Sequence, residues 1–98
     1  MVEAKVGKGA AYMQLKLIDK AEKLYKEAIS IDPDCAEVYF NYGILLADYR
    51  GDKSQAINYF NKFLELKGTD VPKDHRVYKY INEIKAERIK PKKVGNRI

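Results

Sequence analysis

The chain has little of what catalytic and metal-binding sites are usually built from. Of its 98 residues one is cysteine, Cys35, and one is histidine, His75. A single cysteine excludes an intrachain disulfide and a cysteine-built zinc site. A single histidine argues against Ser-His-Asp or Cys-His catalysis and against multi-histidine metal binding. Long apolar runs are missing too. The longest stretch without a charge is Val38–Ala47, ten residues, where a membrane-spanning helix needs about 20. Near the N-terminus, Lys5 and Lys8 are followed only by Ala10–Leu15, which contains Gln14 and ends at Lys16, so no signal peptide is expected. These absences point to a cytoplasmic, non-catalytic module without cofactor or metal.

What is present suits one globular domain, or a piece of a longer chain. Apolar residues make up 46 % and charged residues 34 %, too apolar for disorder and too charged for a membrane protein. The net charge of +5 is unevenly placed. Residues 1–84 hold thirteen Lys/Arg and thirteen Asp/Glu, while residues 85–98 hold six basic residues against Glu87 alone. A neutral body with a basic end differs from a basic nucleic-acid-binding face.

Apolar residues recur at helical spacing throughout, and no stretch keeps up strand alternation. Leu15, Ile18, Ala21, Leu24, Tyr25, Ala28, Ile29 and Ile31 form one such series, with Lys20, Lys23 and Lys26 between them. Pro33 stops this helix. Two more are expected over Ala36–Tyr49 and Lys53–Leu66, separated by Arg50-Gly51-Asp52, and Gly68 ends the second of them. A fifth helix is expected over about 74–90, before Pro91. Its stripe of Val77, Ile81, Ile84 and Arg88 suits a capping helix with one wet face. Short turns between five helices predict antiparallel neighbours.

An internal repeat follows from the spacings. Gly9 to Gly43 and Tyr12 to Leu46 are each 34 residues apart; Ala21 to Ala56, Tyr25 to Phe60 and Ile31 to Leu66 are each 35. One extra residue therefore lies between Leu46 and Ala56, and the Tyr49-Arg50-Gly51 turn is where an insertion costs least. The second unit reads Tyr39-x2-Tyr42-Gly43-x2-Leu46, then Ala56-x3-Phe60; the first reads Lys5-x2-Lys8-Gly9-x2-Tyr12, then Ala21-x3-Tyr25, then Pro33. This resembles the tetratricopeptide repeat, a helix–turn–helix of 34 residues. The resemblance implies an all-α fold of antiparallel helix–turn–helix repeats in a right-handed superhelix. The units would be about 2–35 and 36–70, the capping helix about 74–90, and 91–98 a basic, flexible tail. Gly9, Gly43, Ala21 and Ala56 would let paired helices approach closely, with Tyr25 and Phe60 filling the space between units. Lys5 and Lys8 stand where large apolar groups belong, as at a chain end facing water or where a preceding repeat is absent.

The helix Ala36–Asp48 is the candidate site. Tyr39, Tyr42, Gly43 and Leu46 account for its core side, yet Glu37, Phe40, Asn41, Ile44 and Asp48 form a second, partly apolar face. A helix apolar on two sides expects cover on two sides. In the repeats resembled, that face lines a concave groove holding a partner peptide or helix. The equivalent first-unit positions are Glu3, Val6, Gly7, Ala10 and Gln14, beside Met13. The composite groove would be apolar at Val6, Ala10, Met13, Phe40 and Ile44, and polar at Glu3, Glu37, Asn41 and Asp48. The other occupants of this face are the fifth helix or another copy of the chain. Some repeats of this family grip a C-terminal carboxylate with Lys, Arg and Asn. Asn41 matches one such position, but Val6 and Ala10 replace others, which argues against that mode.

Other features read as structural. Gly7-Lys8-Gly9 lacks the spacing and the preceding strand of a phosphate loop. Cys35 at a helix start reads as an inert small residue, and His75 as a solvated surface histidine. Tyr12, Tyr25, Tyr39 and Tyr42 fall on repeat-core positions, so packing rather than base stacking explains them. The expected function is a protein–protein interaction scaffold. The alternatives are nucleic-acid or anionic-surface binding through residues 85–98, or a structural part of a longer solenoid.

Overall fold

The structure, a computed structural model, describes the backbone of residues 2–89 and the side chains of residues 6–87. The tail expected over 91–98 lies outside the described residues, as do the side chains of Glu3 and Lys5. Among the described residues there are five α-helices and no strand: α1 (Val2–Gln14), α2 (Ile18–Ile31), α3 (Ala36–Ile44), α4 (Lys53–Lys67) and α5 (Arg76–Ile89). The α3 helix runs on as a π-helical stretch over Leu45–Arg50, and a 3-10 turn over Gly68–Asp70 follows α4.

Local chemistry sets the boundaries. Asp52 caps α4: its Oδ1 accepts the Gln55 backbone N–H at 3.1 Å, satisfying a donor the helix leaves unpaired. Gly68 ends α4 at φ 62, a left-handed conformation glycine adopts freely. Between α2 and α3, Asp32 Oδ1 accepts the Asp34 N–H at 3.1 Å, and the Tyr39 hydroxyl donates to the Pro33 carbonyl at 2.6 Å. Leu15, read as part of the second helix, instead lies in the α1–α2 turn and is 67 % exposed. The turn closes with Leu17 N–H donating to the Tyr12 carbonyl at 2.8 Å, so the helical period is broken between Gln14 and Ile18.

The extra residue of the second unit, placed by the sequence at Tyr49-Arg50-Gly51, falls in the π-helical stretch Leu45–Arg50 that runs into Gly51. Lys16 at φ 65 and Gly51 at φ 67 occupy the same left-handed position in the two α–α turns. The bond from Leu17 N–H to the Tyr12 carbonyl has its counterpart from Asp52 N–H to the Leu46 carbonyl, also at 2.8 Å. One more residue lies between the second pair of partners than between the first. It is absorbed by widening the end of the helix, the usual origin of a π-turn. The widened turn sends Arg50 back to α2, where it pairs with Asp19 and, at 3.0 Å, with Glu22.

The core runs between the helices as one cluster. Its centre is the same contact made twice. A Cβ on Gly9 would stand 2.6 Å from Cε1 of Tyr25, and a Cβ on Gly43 would stand 2.6 Å from Cε1 of Phe60. Both rings are fully buried. Each helix pair is therefore closer than any side chain at the glycine would allow. Ala21, Ala28 and Ala56, all at 0 % exposure, keep the same approach open elsewhere. The α5 helix docks through Val77, Ile81 and Ile84, three members of the stripe read from sequence; the side chain of the fourth, Arg88, lies outside the described residues.

This geometry separates the glycines. Gly9→Ala and Gly43→Ala should each cost about 1–3 kcal/mol, because a fully enclosed ring cannot yield the space. Gly7→Ala, with nothing within 4 Å of the new Cβ, should gain roughly 0.5–1 kcal/mol from helix propensity. Chemical denaturation of the three variants reads the contrast directly.

Candidate functional site

The residues proposed to line the groove divide into three groups. Val6 and Ala10 on α1, and Asn41 and Ile44 on α3, are half-buried, on two helices that pack against each other. Glu37 and Asp48 are exposed. Glu37 lies 3.6 Å from Lys67 Nζ, and Asp48 Oδ2 accepts the Tyr80 hydroxyl at 2.7 Å. Met13 and Phe40 are buried, at 7 % and 8 % exposure.

Phe40 is thus part of the core and not an open anchor. Its ring lies 5.2 Å from Phe63, 6.0 Å from Phe60 and 4.9 Å from His75, with the Arg76 guanidinium 5.4 Å from its centroid. The start of α5 covers the second apolar face of α3, one of the occupants the sequence left open. The same packing corrects the reading of His75. It is half-buried against Phe40 and Phe63, and its Nδ1 accepts the Val77 N–H at 3.0 Å, which caps α5.

Sequence reasoning missed the far wall. Asp48, Arg76, Lys79, Tyr80 and Glu83 enclose a cleft of about 270 Å³ between the end of α3 and α5. Arg76, Lys79 and Glu83 follow one another at i, i+3 and i+7, so the sequence did hold the signal. Their spacing alone does not show that this row faces Asp48.

The electrostatics of the cluster between the units is set by burial and pairing. Burial raises the Glu22 carboxyl, but hydrogen bonds from Tyr42 (2.7 Å) and Arg50, with the charges of Lys26 and Arg50, outweigh it and hold the group below its ordinary range. Burial, reinforced by Glu22, pushes the Tyr42 phenol well above its usual value. Burial alone pushes Tyr25 up to about 12, and its hydroxyl is enclosed without a hydrogen-bond partner. Burial and then the bond to Asp48 push Tyr80 to about 12. Burial also raises the Cys35 thiol, the opposite of nucleophile activation. Among the described residues no group of three or more His, Cys, Asp and Glu is placed to hold a metal ion, and no helix is long and apolar enough to cross a membrane.

Comparison with known families agrees with this architecture. A family model described as tetratricopeptide repeat matches residues 2–35, and a second with the same description matches residues 36–70. The chain belongs to the tetratricopeptide repeat family, with two repeats, α1–α2 and α3–α4, followed by α5. Such repeats generally serve as protein-interaction scaffolds and are typically non-catalytic. No curated protein and no solved structure matches the chain.

Two outcomes follow. Phe40→Ala should destabilise about as much as Phe60→Ala, on the order of 3–5 kcal/mol, since both remove enclosed ring volume. The raised phenols predict alkaline instability. Folded values near 12 for Tyr25 and Tyr80 against an ordinary 10 mean that the stabilisation is complete below pH 10 and is lost as pH rises through 12. The melting temperature should therefore fall across that window. Tyr25→Phe should fall less steeply and melt higher at neutral pH, because no unpaired hydroxyl is buried.

Proposed function

We propose that the chain is a protein-interaction scaffold that holds a segment of a partner protein along the concave side formed by α1 and α3. The observation carrying this reading is the strip of half-buried side chains there: Val6, Ala10, Asn41 and Ile44, bordered by exposed Glu37 and Asp48. Small apolar contacts at the centre and a polar rim are the anatomy of a modest protein interface. Phe40 and Met13, both buried, support the strip from beneath and do not themselves reach the partner. The start of α5 narrows the apolar part, and Arg76 and Lys79 add cationic groups across the cleft from Asp48. A partner segment with small apolar side chains and an acidic residue near Arg76 fits this arrangement. So short a strip supports micromolar binding, on the order of −8 kcal/mol.

The test is selection of peptides from a displayed random library on the folded domain, followed by affinity measurement. Ile44→Ala, a milder truncation at a residue that also packs against the core, should weaken the selected peptides about tenfold while the helical signal is retained; Ile44→Asp should weaken them further. Peptides that bind Ile44→Asp as tightly as wild type would place the interaction elsewhere on the domain.

A further inference from the structure

The junction between the two repeats shows what packs on the outer side of a unit. Glu22 and Lys26 of α2 share a cleft of about 340 Å³ with Leu46, Gln55 and Tyr59 of the second unit. The Tyr42 hydroxyl donates to Glu22 at 2.7 Å, and Arg50 pairs with Asp19 and Glu22. The occupant of this side is thus a helix that brings two carboxylates, at i and i+3, to polar groups of the unit it covers.

The first unit carries the matching half of such a junction. Tyr12 stands 34 residues before Leu46, and Lys20 and Leu24 stand 35 before Gln55 and Tyr59. Tyr12, Lys20, Lys23, Leu24 and Glu27 line a cleft of about 310 Å³. The Lys20 ammonium lies 5.9 Å from the Tyr12 ring centroid. Leu24 belongs to a stripe. Leu17, Leu24 and Ile31 recur every seven residues and so run along one flank of α2. Leu24 is about 160° round the helix from Glu22 and Lys26, which face the second unit. Leu17 is 40 % exposed, Ile31 59 % exposed and Leu24 half-buried. At the other end of the repeat pair α5 covers the apolar face. Among the described residues this flank has no such cover.

Its charge says what would cover it. Lys8 stands 34 residues before Tyr42, one turn from Tyr12 on the same side of α1. Lys8, Lys20 and Lys23 are all exposed, and together they outnumber Glu27. A second copy would set this positive excess against itself, and the chain's own sequence after Glu87 is basic. Charge favours neither as the occupant.

We propose that the outer flank of α2 docks an acidic amphipathic helix of a partner protein. The apolar side of that helix covers Leu17, Leu24 and Ile31, since a stripe of period seven suits a helix laid along another. Its carboxylates meet Lys8, Lys20 and Lys23, as Asp19 and Glu22 meet Arg50 and Tyr42 inside the chain. This surface is separate from the concave strip that carries Ile44.

Two synthetic helical peptides test this on the full chain at about 150 mM salt. Both carry one leucine stripe of period seven; one has glutamate beside the stripe and the other lysine. In fluorescence anisotropy the glutamate peptide should bind at least about tenfold more tightly. Ile31→Ser should weaken it about fivefold or more, with the helical signal unchanged, and Ile44→Ala should not. Lys20→Glu with Lys23→Glu should reverse the preference between the peptides, whereas Lys73→Glu with Lys85→Glu, which changes net charge equally, should keep it. No binding, equal binding of both peptides, a preference that both charge swaps alter alike, or a larger loss from Ile44→Ala than from Ile31→Ser overturns the proposal. So does a dimer of the chain alone that Ile31→Ser dissociates in sedimentation equilibrium, which would make a second copy the occupant.

Discussion

A glycine on one helix meets an aromatic ring on the next at a distance no Cβ could tolerate, and the rest of the architecture follows from making this contact twice. Gly9 against Tyr25 and Gly43 against Phe60 set how closely each pair of helices runs. That closeness positions Ala21, Ala28 and Ala56 in the gaps left over, all fully enclosed. It also fixes the rotation of α1 and α3. With Gly9 and Gly43 turned inward, Ala10 and Ile44 lie about 100° round their helices and Val6 about 60° round, on the flank beside the packed face. The candidate binding strip is thus a geometric consequence of where the small residues fall.

The contact was readable in advance because it is local and periodic. Two glycines 34 residues apart, each followed by an aromatic residue in the next helix, need no tertiary information to be recognised. The capping stripe of Val77, Ile81 and Ile84 was readable for the same reason. The fate of Phe40 was not. Its position on the second face of α3 was correctly placed, but what covers that face depends on where α5 docks, and α5 arrives from 35 residues further along the chain. His75 was misread through the same gap: a lone histidine near a helix start says nothing of the two phenylalanines it packs between.

The extra residue shows a limit of a different kind. Turns are the default location for insertions because they disturb the fewest hydrogen bonds. Here both turns keep the same left-handed closure, at Lys16 and Gly51, and the extra residue falls in the helical turn that leads into the second of them. The helix end is widened instead of the closing hydrogen-bond pattern being lost. It brings Arg50 against Asp19 and Glu22, and leaves Asp48 beside Tyr80. Exposed ion pairs of this sort add little stability. They mark where the end of the second unit's first helix meets α2 and where it meets α5.

The central claim, that the glycine–ring contact sets the spacing of each unit, is most directly tested by a double-mutant cycle at Gly43 and Phe60. Phe60→Leu removes the ring that a new Cβ would strike. Gly43→Ala should then cost less in the Phe60→Leu background than in wild type, by a coupling of about 1 kcal/mol or more. Effects that simply add, within about 0.5 kcal/mol, would contradict the account and mean that the glycine is required for some reason other than the ring.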